Sequence, residues 1–264
     1  MSISWDQHGG ATIERDGHPQ SYVDPDDPLL LVFEYVEHFA LVLETLRPDP
    51  APLAITHVGG AGMTLPRWVH HVHPGSPQIV LEPDVALTDL VRKELPLPRG
   101  HRIRVRPQTG QVGICGLRVG SADVVVLDAY DEGQVPGDLV GTWWLGEVDR
   151  VLARDGLLLI NASDAPPLRW VARLCATLAT RFEHVGQLVL REVAKGKSFG
   201  NVVVVASHQR FDDARMTRAA ARASFPSMWR GSAQVRRLIA GASPFQEMGE
   251  PSPPPPPLGV LRRR

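Results

Sequence analysis

Two aspartates three residues apart, Asp128 and Asp131, stand at the end of the run ADVVVLDAYD. An apolar strand driven straight into a carboxylate is costly unless that acid has a partner or a task. Acids so placed suit a cationic ligand: one can hold an ammonium group while the other takes a proton from an amine. Proton removal matters because an alkyl amine, like lysine, titrates near ~10.4, and its ammonium form has no lone pair with which to attack. A second cluster lies in LAITHVGGAGMTLPRWVHH, residues 53–71, where an apolar run opens into Gly59, Gly60 and Gly62. Such a loop lets backbone approach a phosphate or a nucleoside. The dinucleotide fingerprint wants a further glycine where this chain has Leu65, which weakens a nicotinamide reading. Glu82 ends the next apolar run, roughly 20 residues on, where a carboxylate can accept hydrogen bonds from two ribose hydroxyls.

These residues need a frame that brings them to one edge. From residue 53 onward, strand-like runs (LAITHV, QIVLE, HRIRVR, DVVVLD, GLLLINA, HVGQLVLREV, GNVVVVAS) alternate with helix-like segments at 63–73, 84–95, 138–154 and 167–182. Alternation of this kind implies an α/β, doubly wound, mostly parallel sheet covered on both faces. Only AKGKSF separates the last two strands, too little for a crossover helix, so they should pair antiparallel. A seven-stranded sheet closed in that way resembles the class I S-adenosylmethionine-dependent methyltransferase type. Ligands in such sheets bind beyond the carboxyl ends of the strands, at the switch point.

Ahead of the core, ATIERDGHPQSYV reads as a β-hairpin around Asp16-Gly17, and LLLVFEYVEHFALVLETL as a helix ended by RPDPAP. The expected organisation is a hairpin-and-helix region at 1–50, a nucleoside-binding core at 51–210, C-terminal helices at 211–247 and a proline-rich, disordered tail at 248–264. The first C-terminal helix should start with Asp212 or Asp213 as its N-cap.

Composition narrows the function classes. The chain has 264 residues, 43% hydrophobic and 22% charged, with a formal charge of −1. Near-neutral charge gives no nucleic-acid footprint. No apolar run approaches the roughly 18 residues of a membrane span, and no signal-peptide pattern opens the chain. Cys115 and Cys175 make neither a metal spacing nor a disulfide framework, which fits free thiols in the cytoplasm. His70, His71 and His73 lack an acid or cysteine to complete a metal set and read as a solvated helix end. Trp143 and Trp144 read as core anchors, with a wall of the amine pocket as the other possibility. P-loop, zinc-ribbon and serine-elbow motifs are absent.

Taken in order, the motifs resemble the spermidine synthase (polyamine aminopropyltransferase) family over about residues 10–207. The chain reads D-G-x-x-Q at Asp16-Gly17-His18-Pro19-Gln20, then the glycine loop, then E-x-D at Glu82-Pro83-Asp84. It continues with D-x-x-D at Asp128-Ala129-Tyr130-Asp131, the gate-like EGQVPG, and DRVLARDGLLLIN. The resemblance implies that Asp128 deprotonates the attacking amine, that Asp131 and Gln20 hold the donor's tail, and that Glu82 holds its ribose. It places Asp84, Gly59, Gly60, Gly62 and Thr109 around the nucleoside, and Tyr35, Glu37 and Tyr130 around the amine. The co-substrate it implies is decarboxylated S-adenosylmethionine or S-adenosylmethionine, with no tightly bound cofactor, and the assembly it implies is a homodimer.

This sequence also departs from the pattern. The family's G-G-G-D-G-G carries an aspartate for the donor's amino group, whereas this chain has Gly59-Gly60-Ala61-Gly62-Met63. Thr109 stands where an aspartate would bind the adenine, and its hydroxyl can accept a hydrogen bond only without charge. Three readings therefore stand side by side. They are aminopropyl transfer to a polyamine, a catalytically degenerate dimeric or ligand-sensing descendant, and methyl or alkyl transfer from S-adenosylmethionine.

Overall fold

A computed structural model describes residues 1–15 and 18–256; Asp16 and Gly17, where the hairpin turn is expected, and residues 257–264 lie outside the described residues. The chain opens with β1 (Ser2–Trp5), β2 (Ala11–Arg15) and β3 (His18–Val23), which pair antiparallel in that order. Next come α1 (Glu34–Leu46), β4 (Ile55–Gly59), α2 (Thr64–Val72), β5 (Gln78–Leu81), α3 (Val85–Glu94), β6 (Ile103–Arg106) and α4 (Gly110–Cys115). Then follow β7 (Ala122–Asp128), a 3-10 turn at Gly137–Leu139, α5 (Thr142–Val151), β8 (Leu152–Asp164), α6 (Arg169–Ala179) and β9 (His184–Leu190). The last elements are α7 (Arg191–Ala194), β10 (Gly200–Ser207), α8 (Asp213–Ala220), β11 (Ser227–Arg230) and α9 (Ser232–Leu238).

The main sheet has the order β11-β9-β10-β8-β7-β4-β5-β6. Strands β6, β5, β4, β7 and β8 run parallel, and β10 lies antiparallel between β8 and β9. The parallel strands read as unbroken apolar runs because both faces are covered. On one face Trp144, Leu145, Val148, Leu174 and Phe245 pack against the sheet, and on the other Phe39, Leu43, Trp68 and Val69 do so. A smaller core under the N-terminal sheet joins Ala11, Ile13 and Val23 to Met63, Val80 and Leu87. Chain order reverses between β4 and β7, so the crevice beyond their carboxyl ends is the switch point.

Four expectations are corrected. The sheet has eight strands rather than seven, because β11 covers the outer edge of β9 in a region expected to hold only helices. Four residues between two helices are too few to set up a visible alternation, yet Trp229 is buried there, 4% exposed. The N-terminal region is a three-stranded sheet rather than a hairpin. An Asx turn, in which Asp6 Oδ1 accepts from the His8 and Gly10 amides, folds β1 back onto β2. His73 is buried rather than solvated, 1% exposed, with its Nδ1 3.1 Å from the Ala51 carbonyl. The tail is expected to be disordered from 248, whereas Gly249, Glu250 and Ser252 are hydrogen-bonded to the body of the chain and Ser252 is fully buried, although most of its neighbours are exposed. The Asp212 N-cap is as expected: its carboxylate accepts from the Arg215 amide.

Candidate active site

Strand register alone assembles the site. Gly59 is the partner of Asp128 across the β4–β7 pair. Val58 pairs with Leu81, which sets Glu82 beside Gly59, and Leu127 pairs with Ile160, which sets Asn161 beside Asp128. Glu82, Gly59, Asp128 and Asn161 thus form one row across four neighbouring strands at their carboxyl ends. Gly59 must be glycine: its φ is +80°, and a Cβ there would overlap the Asp128 carbonyl.

A chamber of about 460 Å³ opens over this row. Its lining includes Gln20, Tyr35, Gly59, Gly60, Glu82, Thr109, Asp128, Tyr130 and Asp131, so nine of the twelve sequence-derived positions share one cleft. Burial pushes the Asp128 carboxyl up to about 6, although a 3.0 Å hydrogen bond from Asn161 Nδ2 pulls the other way. Burial also raises the Glu82 carboxyl, against the 3.0 Å hydrogen bond it accepts from the Asp84 amide. Desolvation and the nearby Asp128 hold the Tyr35 hydroxyl well above its usual range. The Tyr130 hydroxyl, raised by burial, donates to the Asn161 carbonyl at 3.1 Å.

Three positions lie elsewhere. Gly62 faces the N-terminal sheet: its amide donates to Ser21 Oγ at 3.2 Å, and a Cβ would meet Ile13 Cδ1 at 2.7 Å. Asp84 caps α3 through the Leu87 amide and pairs with Arg15 at 2.5 Å. Glu37, two residues after Tyr35 and so on the opposite face of α1, accepts from the Ser224 amide instead. Thr109 does line the cleft, but its hydroxyl accepts from the Val112 amide at 3.3 Å as the cap of α4. Neither tryptophan lines the cleft. Trp144 is fully buried and donates to the Gly110 carbonyl, while Trp143 is 40% exposed.

A second chamber of about 500 Å³ adjoins the first and shares Arg15, Gln20, Tyr35 and Tyr130 with it. Beyond them its walls carry Asn161, Ser163, Phe199, Asn201 and Pro255. Asp128 therefore stands in the first chamber, with its partner Asn161 lining the adjoining one. Asn161 is the site residue that sequence reasoning missed. It is 2% exposed, its Oδ1 has no hydrogen-bond partner among the described residues, and its amide holds Asp128. Its signal was present in LLLINA, as the first polar residue after an apolar run. Arg15 was missed too, because a lone arginine ending a hairpin strand reads as solvated surface.

The loop after Gly60 is held in an unusual backbone conformation. Ala61 and Met63 both have positive φ, 31° and 61°, which costs energy outside glycine. Met63 offsets that cost by burying its side chain in the core beneath the N-terminal sheet, 1% exposed. The described residues hold no group of three or more His, Cys, Asp or Glu side chains placed to bind a metal ion, and no helix long and apolar enough to cross a membrane.

No protein-family model matches the chain. In sequence it is similar to the polyamine aminopropyltransferase of Vibrio vulnificus, 25% identical over 142 residues, 53% of this chain and 46% of that protein. The chain thus matches about half the length of that relative. The polyamine aminopropyltransferase of Neisseria meningitidis is 26% identical over 190 residues, 71% of this chain and 68% of that one. In structure it is similar to a probable spermidine synthase from Corynebacterium glutamicum, with a TM-score of 0.87, 26% identity, and 92% and 91% of the two chains covered. Human methyltransferase-like protein 13, solved in complex with SAH, shares the fold alone: TM-score 0.59, 19% identity, 79% and 93% covered.

Proposed function

We propose, from the likeness to polyamine aminopropyltransferases and the geometry of the two chambers, that this chain is an aminopropyltransferase-like enzyme. It moves the aminopropyl group of decarboxylated S-adenosylmethionine to a polyamine. The observation that carries the reading is Asp128, a half-buried carboxylate at the switch point with its pKa raised to about 6. In this reading Glu82 takes the ribose hydroxyls, the backbone at Gly59 and Gly60 passes beneath the nucleoside, and Asp131 with Gln20 faces the donor's tail. The amine enters from the second chamber, between Tyr35 and Tyr130.

Asp128 accepts one proton from the amine. The freed lone pair attacks the propyl carbon next to sulfur, a C–N bond forms, and the C–S bond breaks with its electron pair going to sulfur. The positive sulfonium becomes neutral methylthioadenosine. An ordinary aspartate near ~3.9 is a weak base for an ammonium near ~10.4, and the raised pKa narrows that gap by about two units. The Oδ1 of Asn161, without a hydrogen-bond partner among the described residues, is available to accept a second N–H of the amine.

One observation favours S-adenosylmethionine itself as donor. Arg15 lines both chambers, and its guanidinium, paired there with Asp84, offers a cation that a donor carboxylate would meet. Incubation with each donor and a panel of amines separates the readings. Methylthioadenosine release from decarboxylated donor is the expected result, and S-adenosylhomocysteine release would transfer the assignment to methyl transfer. No release from either donor would leave the ligand-sensing alternative.

A further inference from the structure

The segment after α9 runs back over the loop that follows β7. Phe245 anchors it, 2% exposed, tilted against Trp170 and with the Arg173 guanidinium 4.4 Å from its ring centre. From there backbone meets backbone. The Thr142 amide donates to the Gln246 carbonyl at 2.9 Å, and the Gly249 amide to the Gly137 carbonyl at 3.1 Å. Trp170 Nε1 donates to the Glu250 carbonyl at 2.9 Å, and Arg173 pairs with the Glu250 carboxylate at 2.6 Å.

Ser252 then locks the loop's tip. Its amide donates to the Val135 carbonyl at 3.1 Å, and its hydroxyl accepts from the Val135 amide at 2.8 Å. The Gln134 side-chain amide donates to the Ser252 carbonyl. The tip is a two-residue turn in which Asp131 and Gln134 exchange backbone hydrogen bonds, both at 2.9 Å. Its central residues, Glu132 and Gly133, both have positive φ, 49° and 77°. Glutamate in that region is strained and persists only where surrounding contacts hold it. Pro255 packs over Gly133 and reaches the second chamber.

We infer that residues 245–256 form a specificity-determining strap: Ser252 holds the 131–137 turn in the position that presents Asp131 to the nucleoside chamber, and Pro255 forms the outer wall of the amine chamber. This rests on the proposed aminopropyl transfer for its substrate class, but the clamp itself does not. Neither residue touches the reacting atoms; they position and enclose.

The test compares the full chain with chains ending at Pro256 and at Glu250, and with the Ser252→Ala and Pro255→Ala variants. Hydrogen exchange reads the clamp without any turnover. The chain ending at Pro256 should match the full chain, whereas ending at Glu250 should speed exchange of the 131–137 amides by about tenfold or more. Ser252→Ala, which keeps Phe245 and the Glu250 contacts, should speed the Val135 amide most. Turnover reads the wall: in Pro255→Ala the kcat/KM for spermidine relative to the shorter diamine putrescine should rise by about threefold or more. Unchanged exchange on removal of 251–264, or an unchanged ratio in Pro255→Ala, overturns the strap. If the full chain turns over neither amine, the proposed function fails, and hydrogen exchange alone then decides whether the strap stands.

Discussion

On the proposed aminopropyl transfer, Asp128 sets function against stability in a single side chain. Its pKa in the fold is about 6, above the ~3.9 of an unfolded aspartate. The folded state therefore holds that proton more tightly than the unfolded chain does. The contribution to stability is full below about pH 4 and is lost as pH rises through about 6. Replacement by asparagine removes the charge at nearly the same shape, so Asp128→Asn should be more stable than the parent at pH 8. Two units correspond to about 3 kcal/mol at most, and partial solvent access reduces this to about 1 to 2. The gain should vanish near pH 4 in paired thermal melts. The same variant should lose about a hundredfold or more in turnover, as removal of a general base does, while the parent's kcat/KM should climb as pH passes through about 6. A variant less stable than the parent at pH 8 would show that the Asn161 contact outweighs desolvation.

At the scale of elements, legibility followed the length of the pattern. The apolar runs of β4, β7 and β8 announce themselves because parallel strands covered on both faces need continuous hydrophobicity. Register between them follows from those runs, and with it Glu82, Gly59 and Asp128 fall into one row. What escaped the sequence depended on contacts between distant segments. β11 is visible only once β9 offers an open edge, and the strap only once the loop after β7 offers unpaired backbone groups. The side assignment of Glu37 failed for a simpler reason. Two residues along a helix differ by about 200°, so Tyr35 and Glu37 cannot serve the same cleft. The missing loop acid has an element-level cause as well. Gly62 is pressed against β2 and β3, with Ile13 Cδ1 2.7 Å from where a Cβ would stand. Gly62→Asp should thus fail to restore a grip on an amino tail. It should cost about 2 to 4 kcal/mol through overlap and burial of a charge, read by chemical denaturation. Tighter binding of decarboxylated S-adenosylmethionine by a well-folded Gly62→Asp chain would contradict that account.

For the whole molecule, the N-terminal sheet and the doubly wound core meet around the first chamber and the strap closes the adjoining one, so ligand binding there should report on much of the fold. Methylthioadenosine offers adenine, ribose and thioether but no cationic tail. On the proposed reading its binding would not need the acid absent from the glycine loop, and would rest on Glu82, the Gly59–Gly60 backbone and the walls formed by Leu81 and Leu139, which line the first chamber. A ligand at a hundred times its dissociation constant stabilises the native state by about 2.7 kcal/mol. For a chain of this size each kcal/mol raises the melting temperature by roughly 2 to 4 °C. Millimolar methylthioadenosine should therefore raise it by several degrees. Glu82→Ala should abolish the shift, because the ribose hydroxyls lose their acceptor, while Asp131→Asn should leave it nearly intact, since no amino tail is present to be held. Decarboxylated S-adenosylmethionine should show the opposite sensitivity at Asp131, losing stabilisation in that variant. If methylthioadenosine shifts the melt equally in the parent and in Glu82→Ala, the ribose is held elsewhere and the row across the four strands is not its seat. If it shifts neither, and calorimetry registers no heat, the glycine loop is a turn and nothing more.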